Sequence, residues 1–186
     1  MRLRLLEEEY GDRVHMRFKA FLLRPHPQAG RKPGPDHPER WAKIAENGAD
    51  VGIQFGVYPA DRDLPTHSLP GLEAAKCAAL QGSDAFKRMD LRLMEAYFGE
   101  GRDISDRGVL LELATESGLD VDKFQESFDS GALQPAVLAE DREAHERWGI
   151  TAIPTVVFNN RRAIVGAVPM DQYRMLTEAM LSGRVF

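Results

Sequence analysis

Trp148-Gly-Ile-Thr-Ala-Ile-Pro-Thr-Val-Val-Phe158 is the stretch on which the fold of this 186-residue chain turns. Upstream of it, Pro135, Val137, Leu138, His145 and Trp148 read as a helix that Gly149 closes. Thr155 to Phe158 is a short apolar β run, Asn159-Asn160-Arg161-Arg162 is turn chemistry, and Ala163-Ile-Val165 is a second strand. The spacing predicts a β-hairpin. Proline cannot sit inside a central ladder, so Pro154 marks the point where the strand begins. Two readings of that proline are open. An X-Pro bond held cis where a tight geometry is wanted would turn the Ile153 N–H and C=O outward, ready to pair with an extended peptide or a glutathione backbone. The other reading is an ordinary trans proline in a loop. Beyond the hairpin, Gly166 and Pro169 lead into a helical stripe of Tyr173, Leu176, Met180 and Leu181.

Working outward, Leu3, Leu6 and Tyr10 have helical spacing, with Gly11 as terminator. Val14 to Leu22 alternates apolar and polar residues through Val14, Met16, Phe18 and Ala20, which predicts a strand. Pro25 to Pro38 carries five prolines and reads as a loop. From there to about residue 138 the chain reads as helix after helix. Pro38 starts one through Trp41, Ile44 and Ala45; Leu72 to Leu80 forms another, stopped at Gly82. Ser83 caps the next, through Phe86, Met89, Leu93, Tyr97 and Phe98 to Gly99. Ser105 or Asp106 caps a helix closed by Gly118, and Asp120 caps one stopped by Gly131. The expectation is an α/β domain made of residues 1–35 and 139–186, with an all-helical insertion over 36–138.

The composition excludes several classes. A net charge of −5 argues against a nucleic-acid binder that neutralises phosphates. No apolar run approaches the roughly 20 residues that span a bilayer. The apolar start, Met1 to Leu6, runs into Glu7-Glu8-Glu9 and is too short for a signal peptide. With no targeting segment and a single cysteine, the expectation is a cytoplasmic protein without a disulfide framework or a multi-cysteine zinc site. Cys77 lies among alanines and reads as a small packed hydrophobe, since a reactive thiolate needs an electropositive setting. His26 and His37 read as solvated loop histidines with no ligand partner at metal spacing. His145-Glu146 lacks the second histidine of a zinc-protease helix, because Gly149 stands there. No phosphate loop and no serine-hydrolase elbow is present.

The order helix, Gly-Ile-x-x-Ile-Pro-Thr, hairpin, Gly-Ala-x-Pro, helix resembles the C-terminal half of thioredoxin-fold proteins. Tyr10-Gly-Asp-Arg-Val with Phe21-Leu-Leu-Arg-Pro25, Pro70 to Gly82 with Tyr97 to Asp106, and Gly149 to Thr155 with Val165 to Pro169 together resemble the DsbA-like family, in its FrnE and 2-hydroxychromene-2-carboxylate isomerase branch. The resemblance implies a thioredoxin-like fold with a helical insertion, a thiol–disulfide oxidoreductase class, and Ile153 and Pro154 as the substrate-facing position. In that family a first strand leads to a Cys-Pro-x-Cys pair, or a serine in isomerase and transferase relatives, at the start of the first helix. This chain has no counterpart to either. The expectation is therefore a chain truncated at its N-terminus relative to the family, with no catalytic residue, no metal, and no dithiol activity of its own. Glutathione is the one small-molecule candidate, and peptides or thiols are the expected substrates. Two further readings stand beside the first: a glutathione-dependent isomerase or transferase, and a non-catalytic module that binds peptides or pairs with a second copy of itself as a homodimer. The family's first strand lies between the second strand and the hairpin. Its place would be met by an upstream start, by a partner segment, or by Val14–Leu22 closing directly against the hairpin.

Overall fold

A computed structural model of the chain describes residues 2–48 and 54–184. They form two compact units: residues 1–18 with 145–186, and residues 19–144. The boundaries fall nearer the chain ends than the 35 and 139 drawn from sequence, so that the helical unit is the wider, for a reason visible in that unit. There the Ala20 N–H donates to Glu140 Oε2 at 2.8 Å and the Leu22 N–H to Asp141 Oδ1 at 2.7 Å. Ala20 and Leu22 also bury against Val137, Leu69 and Leu72. The polar and apolar groups of residues 19–22 thus find their partners in the helical unit.

The first unit holds α1 (Arg2–Tyr10), the end of α7 (Gln134–Trp148), strands β1 (Thr155–Phe158) and β2 (Arg162–Val165), and α8 (Met170–Leu181). The strands pair antiparallel, Thr155 opposite Val165 and Phe158 opposite Arg162. Asn159 and Asn160 both take positive φ, 47° and 54°. Asparagine tolerates that conformation because its short side chain can bond locally. Leu6 and Tyr10 of α1 and Tyr173 of α8 are buried, and Val14, Met16, Val156, Phe158 and Ile164 pack on them. An isolated two-stranded hairpin is marginal in water, so this helix pair is what holds it.

The strand expected over Val14–Leu22 does not form. Among the described residues the only sheet is β1 with β2. The alternation of burial is nevertheless present: Val14, Met16 and Phe18 are half-buried, while His15 and Arg17 are exposed. Periodicity reports which side chains face a core, whereas a strand also needs a neighbouring ladder. Here Val14 bonds back to the Gly11 carbonyl and the segment gains no strand partner among the described residues.

The second unit holds α2 (His37–Gly48), α3 (Leu69–Ala79), α4 (Ser83–Met94) continued by a π-helical turn (Glu95–Gly99), α5 (Arg107–Glu116), α6 (Val121–Asp129) and most of α7. Its core gathers Ala74, Cys77 and Ala78 of α3, Met89 of α4, Leu110 and Leu113 of α5, and Phe124 of α6. The small residues of α3 let its neighbours approach closely. The caps read from sequence are met at two places: Asp106 accepts from the Val109 N–H at 2.9 Å and Asp120 from the Lys123 N–H at 3.2 Å. Ser83 does not cap. It is the first helical residue of α4, and Gly82 precedes it with φ of 115°, a conformation open to glycine and strained for serine. Replacing Asp106 by alanine is expected to cost about 1 kcal/mol of stability, and Asp120 the same; the midpoint of urea unfolding measures both.

Candidate functional site

Gly149, in the left-handed region at φ 60°, releases the chain from α7 into residues 151–154, all exposed. The Ile153–Pro154 peptide bond is cis. The loop is braced from both sides. The Thr155 hydroxyl donates to the Ala152 carbonyl at 2.7 Å, and the Gly166 N–H to the Pro154 carbonyl at 2.7 Å. Among the described residues nothing pairs with the main chain of Ile153, a residue 46% exposed. The two sequence-predicted site residues therefore stand together on one exposed, anchored loop.

Cys77 is 1% exposed on α3 and forms part of the wall of a cavity of about 400 Å³, with Leu80, Gln81, Lys123, Glu126, Ser127 and Ser130. Burial pushes its thiol above the ordinary value, partly offset by a hydrogen bond with Ser127. A raised thiol holds less thiolate and is a poor nucleophile. The packing role read from sequence fits this environment.

One turn earlier on α3, Glu73 is 2% exposed. Its Oε2 accepts from Gln134 Nε2 at 3.0 Å, while its buried Oε1 has no partner. Burial raises its carboxyl above the usual value, and the Gln134 bond partly offsets the rise. The folded state therefore binds this proton more tightly than the unfolded chain does. Its contribution is fully favourable below the unfolded value of 4.5 and is lost as pH rises through the folded value. Glu73→Gln keeps an acceptor for Gln134 and removes the buried charge. The variant is expected to be more stable than the parent at pH 7, with the gain vanishing below pH 4.5; chemical denaturation across pH measures it.

The histidines divide. His26 is exposed, as expected of a loop residue. His37 is not solvated: it opens α2, is 8% exposed and stacks on Trp41 with ring centroids 4.7 Å apart. Burial, more than the neighbouring Arg40, pulls its imidazole below the ordinary value. His67, which no sequence motif marks, sits in a chain of side-chain hydrogen bonds with Thr66, Ser105 and Asp103. Residues 66 and 105 are 39 apart, and no spacing motif joins them. No group of three or more His, Cys, Asp or Glu among the described residues could hold a metal ion, and no helix is long and apolar enough to cross a membrane.

The ClpXP adapter protein SpxH of Halalkalibacterium halodurans is 28% identical over 196 residues, covering 96% of this chain. The chain spans 61% of that relative's length. Among solved structures, the cytosolic disulfide reductase DsbM from Pseudomonas aeruginosa with GSH superposes with a TM-score of 0.62 at 26% identity, covering 84% of this chain and 81% of that one. A candidate protein disulfide isomerase from Nitrosomonas europaea gives a TM-score of 0.72 at 17% identity, covering 99% and 90%, and so shares the fold. The fold is thioredoxin-like, mostly helical, with a small two-stranded sheet. The sequence model of the family described as the DSBA-like thioredoxin domain matches residues 1–177, and the chain belongs to that family.

Proposed function

We propose that this chain is a cytoplasmic, FrnE-like member of the family that binds cysteine-containing peptides or glutathione through Ile153 and Pro154, and that it performs no dithiol–disulfide exchange with its own residues. The observation that carries the reading is the main chain of Ile153, unpaired among the described residues, on an exposed loop anchored at both ends. An extended ligand gains affinity from such a free donor and acceptor, in the manner of an added strand. The similar DsbM structure was solved with GSH, which supports glutathione as a ligand class. Dithiol exchange needs an attacking thiolate and a second cysteine to resolve the mixed disulfide. The chain supplies only Cys77, and it is buried.

Two measurements test this. In an insulin-reduction assay the chain is expected to give no turnover above the uncatalysed rate, with Cys77→Ser identical to the parent. Turnover that survives Cys77→Ser would overturn the reading. In calorimetric titrations with glutathione and with a cysteine-containing peptide, Ile153→Pro removes the free N–H and is expected to weaken binding roughly tenfold.

The likeness to an adapter protein favours a second reading, a non-catalytic module that holds a protein partner or a second copy. Concentration-dependent dimerisation in light scattering, with no affinity for glutathione, would select it.

A further inference from the structure

Counting donors and acceptors fixes the direction of the chain of bonds around His67. Asp103 Oδ1 is a carboxylate oxygen and can only accept, so the Ser105 hydroxyl donates to it, at 2.5 Å. That uses the single hydrogen of Ser105. Its oxygen is then left to accept, and it does so twice: from the Thr66 N–H at 2.8 Å and from the Thr66 hydroxyl at 3.1 Å. The Thr66 hydroxyl has now spent its own hydrogen. Toward His67 Nδ1, 2.8 Å away, it can only accept. His67 Nδ1 must therefore carry the proton, and in the neutral ring Nε2 is the bare nitrogen.

Two further observations say what such a nitrogen can hold. Nε2 has no partner among the described residues, and His67 is only half-buried. Asp103 carries a negative charge, and among the described residues no Lys or Arg forms an ion pair with it. Its bonds are from the Ser105 N–H at 2.8 Å and the Ser105 hydroxyl. Its field reaches its surroundings: burial first and then Asp103 hold the Tyr58 hydroxyl at about 12, with Arg62 and Arg31 opposing. A bare ring nitrogen repels carboxylates and phosphates, which also bring only lone pairs. A nearby carboxylate with no ion-pair partner among the described residues attracts cations.

We propose that His67, its tautomer fixed by Thr66, Ser105 and Asp103, is a binding site for a primary ammonium group, such as a lysine side chain or an amino terminus. The ammonium N–H donates to Nε2, and Asp103 supplies the favourable charge. Thr66, Ser105 and Asp103 are positioning residues that act through the ring. Burial lowers the imidazole below its ordinary value, with Asp103 opposing, which keeps the ring neutral and Nε2 free at neutral pH. The site is independent of the Ile153 loop, and either reading can fail without the other.

The test uses the full chain labelled with ¹⁵N at histidine, read by NMR at neutral pH. The expected spectrum shows His67 as the Nδ1–H tautomer. In Thr66→Val, which preserves shape and removes the hydroxyl link, the ring is expected to change toward the Nε2–H form; Ser105→Ala serves as a second break should one variant fold poorly. Methylammonium is the ligand probe, and it should shift the Nε2 resonance of the parent. Tetramethylammonium has the charge but no N–H and should not. Nε2–H in the parent would overturn the assignment. An unchanged tautomer in both variants would overturn the positioning role. No shift with methylammonium, or equal shifts with both cations, would overturn the ammonium site.

Discussion

Replacing Phe124 by alanine is expected to destabilise the helical unit by about 3–5 kcal/mol, the range found for deleting a buried aromatic side chain. Phe124 is fully buried on α6, which packs on α3 and α5, and its ring stacks on Phe128 with centroids 5.8 Å apart. The core cluster that would have to close over the vacated space includes Ala74, Ala78, Leu110 and Leu113. The alanines have no side chain to extend, so most of the cavity would stay open and the cost should fall at the upper end of the range. Urea unfolding followed by far-ultraviolet circular dichroism measures it. A cost below about 1 kcal/mol would contradict this packing.

The second large effect is expected at Gly56. A Cβ at this position would overlap the Gly99 carbonyl oxygen, which is main chain and cannot rotate aside. The two segments approach closely because the Gly56 N–H donates to the Phe98 carbonyl at 2.9 Å. Gly56→Ala must push the loop off the π-helical turn, stretching that bond and disturbing the aromatic group of Phe55, Trp41 and Phe98. A loss of about 2–4 kcal/mol is expected, combining a broken bond with displaced packing. The fluorescence of Trp41 should shift in the same variant even under native conditions, because its indole N–H lies 3.4 Å from the Phe98 carbonyl.

The hairpin, the helix ends and the Asp106 and Asp120 caps were legible in the sequence because each is a local event. Asn159-Asn160 tolerates positive φ, an aspartate three residues ahead of an N–H caps it, and a glycine stops a helix. The DsbA-like resemblance was legible for a related reason: it is carried by short contiguous motifs. What stayed hidden is pairwise and long-range. Alternation in Val14–Leu22 announced a face without saying whether a ladder stood beside it. His37 sits in a proline-rich loop sequence yet stacks on Trp41 inside the unit. Thr66 and Ser105 meet across 39 residues with no motif to join them. Glu73 sits beside alanines on a helix, where a glutamate ordinarily reads as surface, and only tertiary packing closes over it.

The carboxylates of α7 that hold Ala20 and Leu22 bear on how this protein can change over evolution. In a sheet, a strand's register is set by its neighbour, and a matched slip can carry both along. Here the register of residues 20–22 is written in the rotational phase of a helix, through two consecutive side chains, Glu140 and Asp141. One residue inserted into α7 ahead of Glu140 would swing that pair by about 100° around the helix axis. No shift of the extended segment along its own length could follow such a rotation. Insertions and deletions in the first half of α7 should therefore be tolerated only in whole turns, and even Glu140→Gln should be felt at Ala20, because Glu140 Oε2 accepts from the Ala20 N–H while Oε1 accepts from Lys76 Nζ at 2.6 Å, and an amide has one oxygen for the two donors.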